Sequence, residues 1–187
     1  MSMSRVIYTI LIAISAGCGY YLYTKAPEKV INILPNVEFP AFSGTMVDSV
    51  SYTESGTRSY TIISSELENF AKQGITVFQE PILKIYVEGV TQEWEISADK
   101  AILGEDEVLT LYNNVLAENL LPESAFDTLS TVQMSIKLTN RDFWTDNTVT
   151  LLGPQFTTVG QAMKGNFADN TAVLFNHVKG KYETITP

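Results

Sequence analysis

Apolar and polar positions alternate along most of the chain. Val132, Met134, Ile136 and Leu138 alternate with Gln133, Ser135, Lys137 and Thr139. Trp94, Ile96 and Ala98 alternate in the same way with Glu93, Glu95, Ser97 and Asp99. A period of two sends successive side chains to opposite faces, so each run predicts a half-buried β-strand. Shorter β-type runs occupy residues 60–63, 75–78, 82–87, 108–112 and 149–152, separated by clusters of Gly, Asn and Asp. Only residues 65–72 and 122–127 have the composition for a helical turn. Many short strands at this spacing predict an all-β domain, antiparallel, of sandwich or jelly-roll type.

A weak internal repeat adds detail. Leu111-Tyr112-Asn113-Asn114-Val115 matches Leu174-Phe175-Asn176-His177-Val178, and Leu151-Leu152-Gly153-Pro154 repeats the first half. Asn and Gly accept left-handed backbone conformations, so each copy marks a place where a strand reverses or bends. Gly153, just before Pro154, is expected at a bend that tolerates a β-carbon poorly, and Tyr112 is expected to be structural. The last copy makes residues 171–184 the final hairpin, whose outer edge no later strand covers.

The N-terminus breaks the alternation. Residues 6–23 carry no charge and are bounded by Arg5 and Lys25. As a helix this run rises about 27 Å at about 1.5 Å per residue, enough for one transmembrane helix with interfacial anchoring. Tyr20, Tyr21 and Tyr23 stand where an aromatic belt would, and Arg5 favours a cytoplasmic N-terminus. Ala13 and Gly17 have the small-xxx-small spacing that lets membrane helices approach closely. Two rivals compete with a retained anchor: a signal peptide cleaved near residues 15–17, and a lipoprotein signal ending at Cys18. Pro27, Pro35 and Pro40 then predict an extended stalk. The expected organisation is an anchor over residues 1–24, a stalk over 25–41 and a β domain over 42–187.

Composition narrows the function. The 187 residues include 12 Lys and Arg against 21 Asp and Glu, a net charge of −9 that argues against nucleic-acid binding. One Cys and one His exclude an internal disulfide and thiolate-rich zinc sites. The sequence has no phosphate-binding Gly-rich loop, nucleophile elbow or HExxH helix. Glu105, Asp106 and Glu107 lack the alternating oxygen ligands of a calcium loop, and His177 reads as a surface residue. The expected protein is not an enzyme and uses no metal or cofactor.

The segment Trp94-Glu95-Ile96-Ser97-Ala98-Asp99-Lys100-Ala101, followed by Leu109-Thr110-Leu111-Tyr112-Asn113-Asn114-Val115, resembles the repeat unit of the OstA-like lipopolysaccharide carriers. Phe78-Gln79-Glu80-Pro81-Ile82-Leu83 before it, and residues 149–153 and Met163-Lys164-Gly165-Asn166-Phe167 after it, resemble the inner-membrane-anchored member. The chain departs from that family's Leu-Tyr-Gly turn at Asn113 and Asn176, and Gly153 keeps it.

The resemblance implies an open, twisted antiparallel β-jelly roll whose apolar interior holds the acyl chains of lipopolysaccharide. It implies an inner-membrane, single-pass protein with most of its chain in the periplasm. Its partners would be an ATP-driven ABC-transporter extractor, met through the transmembrane helix and the N-terminal edge, and a soluble periplasmic carrier of the same fold. An apolar trough needs inward side chains, and Phe78 is a candidate wall residue. By resemblance Val47, Ala172 and Tyr182 line the lipid path at its mouths. The last strand, with Val178, Lys179 and Lys181, would dock the soluble carrier through its unpaired backbone. The rival reading is a membrane-tethered structural or interaction β-sandwich without lipid cargo.

Overall fold

The computed structural model describes residues 3–24, 38–122, 124 and 126–182. The chain forms two units, Met1–Val37 and Glu38–Pro187. The first holds helix α1 (Met3–Thr24), where no proline interrupts the backbone ladder. Every side chain described on it, residues 6–21, is exposed, Ala13 and Gly17 included. A β-carbon added at Gly17 would meet nothing within 4 Å. Among the described residues no helix is long and apolar enough to cross a membrane. The stalk expected over residues 25–41 lies outside the described residues up to residue 37.

The second unit holds fourteen strands: β1 (Phe42–Tyr52), β2 (Arg58–Phe70), β3 (Ile75–Gln79), β4 (Ile82–Val87), β5 (Thr91–Ser97), β6 (Lys100–Gly104), β7 (Val108–Asn119), β8 (Thr128–Lys137), β9 (Asp142–Thr145), β10 (Val149–Gly153), β11 (Phe156–Gly160), β12 (Ala162–Asn166), β13 (Thr171–Phe175) and β14 (Lys179–Tyr182). All their pairings are antiparallel.

The pairing pattern divides these strands between two leaves. The second half of β2 pairs β3 and its first half pairs β4. β7 pairs β6 with its first half and β5 with its second. β8 divides likewise between β10 and β9. Leaf one therefore runs β1, β2, β3, β6, β7, β8, β9, β12, β13, and leaf two runs β1, β2, β4, β5, β7, β8, β10, β11, β14. In chain order the backbone makes nine passes from leaf to leaf. Four are unbroken (β1, β2, β7, β8) and five are broken in two (β3–β4, β5–β6, β9–β10, β11–β12, β13–β14). Each pass pairs only with the one before and the one after, so the connectivity is a meander folded lengthwise.

The inner faces of both leaves share one core. Leaf two contributes Ile62, Leu83, Trp94, Ile96 and Leu129, and leaf one contributes Phe78, Leu109, Leu111, Met134, Ile136 and Phe143. Each large side chain buried there stabilises the fold by roughly 1.5–3 kcal/mol.

The steps between leaves explain where simple alternation fails. In β8, Leu129 and Thr131 point inward on leaf two, while Met134 and Ile136 point inward on leaf one. The phase slips at the fold, so Val132 faces out, 58% exposed, contrary to the alternation that placed it with Met134. Residues 65–70 are strand rather than a helical turn, because β2 pairs on both edges there. The Leu-x-Asn repeat sits at two such steps. Asn113 and Asn114 have φ of 60° and 48°, and Asn176 and His177 have φ of 56° and 53°. Asn tolerates this left-handed region best among non-glycine residues, and a pair of such residues turns the strand across to the other leaf. At the first step Asn114 Nδ2 donates to both Asp99 carboxylate oxygens, at 3.2 and 3.0 Å.

Within the span expected as a terminal hairpin, the described residues 171–182 do not form one. β13 pairs β12 and β14 pairs β11, one on each leaf. Gly153 does stand where a β-carbon fits poorly, for a reason other than backbone conformation. It closes β10 before a reversal at residues 154–155, and its φ is not among the positive ones. The constraint there is space, because the Phe156 ring occupies the position a β-carbon would take.

Candidate functional site

Among the described residues no strand covers either end of the meander. β1 pairs only β2, leaving the outer edge of all its 11 residues free of any described strand. At the other end no described strand pairs the outer edges of β13 and β14. Unpaired N–H and C=O groups in such edges accept another strand or must be protected from one.

Apolar side chains at these ends are only partly covered. Val47 of β1 packs against the core from the first pass, and Phe156, Ala172 and Leu174 pack against it from the last two. Between them the space is filled: Trp94 is fully buried, with Phe126 and Phe167 rings 5.3 and 4.9 Å away between centroids. Phe143 lies 4.2 Å from Phe167. The interior is thus a continuous apolar layer, closed at its middle and only partly covered at both ends.

The long side opposite the fold forms a seam where turns of leaf one meet leaf two. Trp94 Nε1 donates to the Phe167 carbonyl (3.2 Å), and Arg141 Nη2 donates to the Tyr86 carbonyl (2.9 Å). Asn170 Nδ2 donates to Glu93 Oε1 (2.8 Å), and Asn119 Nδ2 donates to Asn170 Oδ1 (3.0 Å). Glu93 is 3% exposed, a carboxylate buried at the seam with an amide donor against it. Sequence reasoning placed Glu93 on a solvated strand face and missed Asn119 and Asn170, because these partners lie 77 and 51 residues apart.

The expected site residues divide between these regions. Phe78 is buried in the core of leaf one. Val47 stands at the first-pass end and Ala172 at the last-pass end, so the fold separates them. Tyr182 is 76% exposed on β14 and faces Phe156 in register, with ring centroids 6.2 Å apart. Val178, Lys179 and Lys181 are exposed on the final pass. Tyr112 is half-buried on the face opposite Leu111, just before the Asn113–Asn114 step. Among the described residues no cluster of His, Cys, Asp and Glu is arranged to hold a metal.

Residues 8–183 match the LptC family, described as lipopolysaccharide-assembly, LptC-related. The chain belongs to this family. It is a family of lipopolysaccharide transport, not of catalysis. Its relatives include the lipopolysaccharide export system protein LptC of Escherichia coli strain K12, 29% identical over 98% of this chain and 96% of that protein. The LptC of Haemophilus influenzae is 24% identical, over 92% of this chain and 91% of that one. Among solved structures, the fold is similar to LptH of Pseudomonas aeruginosa, described as the LptA-homologous periplasmic component of its lipopolysaccharide transport device. That similarity has a TM-score of 0.53 at 12% identity and covers 68% of this chain and 95% of LptH. At that identity the likeness shows the fold alone, a mostly β-strand architecture similar to that of LptH.

Proposed function

We propose that this chain is an inner-membrane-anchored periplasmic carrier, an open and twisted jelly roll. It takes lipopolysaccharide from an ATP-driven extractor and passes it to a soluble carrier of the same fold. The observation that carries this reading is the continuous apolar layer between two leaves, with a strand edge at each end that no described strand covers. An edge that pairs with a neighbour's edge would join the two apolar layers, and acyl chains would then move on without crossing water.

The packed middle of the interior gives the mechanism a requirement. Acyl chains enter only if the leaves part, and the seam is held by a handful of hydrogen bonds worth about 0.5–1.5 kcal/mol each. Val47 at one end and Ala172, Leu174 and Phe156 at the other offer apolar surface that cargo can cover first. Energy for directional movement must come from the extractor, since this chain carries no nucleotide-binding motif.

The anchor reading rests on α1. Its fully described stretch of residues 6–21 is exposed throughout and rises about 24 Å, short of the roughly 30 Å hydrocarbon core. The uncharged sequence continues to Tyr23, and a bare apolar helix of this kind finds its cover in lipid or against another membrane helix. Purifying the full chain from membranes and analysing an organic extract by mass spectrometry tests the cargo. Co-purified lipopolysaccharide supports the reading, and a lipid-free extract from a folded protein contradicts it.

A further inference from the structure

The outer face of leaf one carries a concavity of about 570 Å³ that the transport reading does not use. This is within the roughly 300–1,000 Å³ range of small-molecule sites. In register, Trp144, Lys164 and Val173 form one row across it, and Lys137, Asp142, Asn166 and Thr171 form the polar edge nearest the seam. Trp144 is 39% exposed on a strand whose inward neighbour Phe143 is buried, so its indole lies on the outer face of the leaf.

The polar edge is held in place before any ligand arrives. Asn166 Nδ2 donates to Asp142 Oδ1 (2.7 Å), and Asn140 Nδ2 donates to Asp142 Oδ2 (2.6 Å). Each carboxylate oxygen keeps a lone pair for a further donor. Lys137 Nζ donates to the Asp106 carbonyl, and Lys164 Nζ lies 5.2 Å from the Phe175 ring centroid.

The geometry points to a saccharide-binding platform for the headgroup of the glycolipid that the leaves would carry, a step that rests on the carrier reading above. An aromatic face beside an ordered carboxylate and an ammonium matches a sugar ring, with its apolar C–H face and its ring of hydroxyls. A phosphate would meet the two ammonium groups but leave the Asp142 acceptors without a donor, whereas a sugar hydroxyl can satisfy both kinds of group. Position supports the same occupant. Arg141, Phe167 and Asn170 hold the seam, and each is one residue from a residue of this concavity, Asp142, Asn166 and Thr171. A headgroup leaving the interior through the seam would pass beside this surface.

The test uses detergent-solubilised full chain and three probes: core oligosaccharide freed by mild acid hydrolysis, lipid A, and inorganic phosphate. Binding is read by saturation-transfer NMR and by the emission of Trp144, since Trp94, the other of the two tryptophans, is buried. The oligosaccharide should bind the wild type, about tenfold more weakly to Trp144→Ala, and with little change to Trp144→Phe. Oligosaccharide affinity unchanged in Trp144→Ala would overturn the platform, as would phosphate competing the oligosaccharide away. A photoreactive residue at position 78 monitors acyl-chain binding in parallel. Its failure to label lipopolysaccharide would count against the carrier reading, whereas labelling retained in a Trp144→Ala variant that no longer binds oligosaccharide supports the platform.

Discussion

Gly153 and Phe156 face each other across the reversal that joins β10 to β11, and the phenyl ring stands where a β-carbon on residue 153 would be. Phe156 Cζ is 2.6 Å from that position. The same ring packs against Tyr182 on the last strand, so residue 153 reaches the C-terminal edge through one aromatic contact.

Gly153→Ala should therefore destabilise the domain by about 1–3 kcal/mol through overpacking. Combining it with Phe156→Ala should cost less than the two single changes added together, because the second removes the obstructing ring. Urea unfolding of the three variants checks this. Strict additivity would mean that the ring is not what excludes a side chain at 153.

A second prediction concerns Ser64, which lies opposite Val47 in the β1–β2 register. Its hydroxyl is buried and has no hydrogen-bond partner. Such a group carries a desolvation penalty of about 1–3 kcal/mol, so Ser64→Ala should raise the unfolding free energy by roughly 1 kcal/mol. A loss of stability would show that the hydroxyl is satisfied in solution.

The strands were legible in the sequence and their division into leaves was not. Alternation located β5 and β8 because each leaf buries every second side chain, as at Trp94 and Ile96 or Met134 and Ile136. It failed at Val132, since a strand that folds across to a second leaf shifts its inward phase, and nothing local distinguishes that shift from noise. The Leu-x-Asn repeat did mark two folds, at residues 113–114 and 176–177, where Asn accepts positive φ. Reading the last of them as a hairpin failed because a left-handed pair can bend a strand as well as reverse it. Gly153 was legible as a place where a β-carbon fits poorly, but not the cause, since a glycine can answer a neighbour's ring rather than a backbone requirement. The Glu93–Asn170–Asn119 seam was out of reach because it depends on which turns the twist of two leaves brings together.

The C-terminal edge supplies a third prediction. Ending the chain before Asn176 removes β14 from leaf two and leaves β13 on leaf one. The truncated protein should lose the soluble carrier and keep the extractor in a pull-down with both, provided circular dichroism shows a β fold. Carrier binding by a folded truncation would move the docking edge to β1.

The most direct measurement is photo-cross-linking from the interior. A photoreactive residue at Phe78, buried between the leaves, should label lipopolysaccharide in membranes containing the extractor and ATP. The same residue at Ser130, exposed on the outer face of leaf two, should not. Strong labelling at 78 with little at 130 is the result predicted for acyl chains held between the leaves. Equal labelling at both, or none at 78, would contradict a carrier whose cargo lies inside the fold.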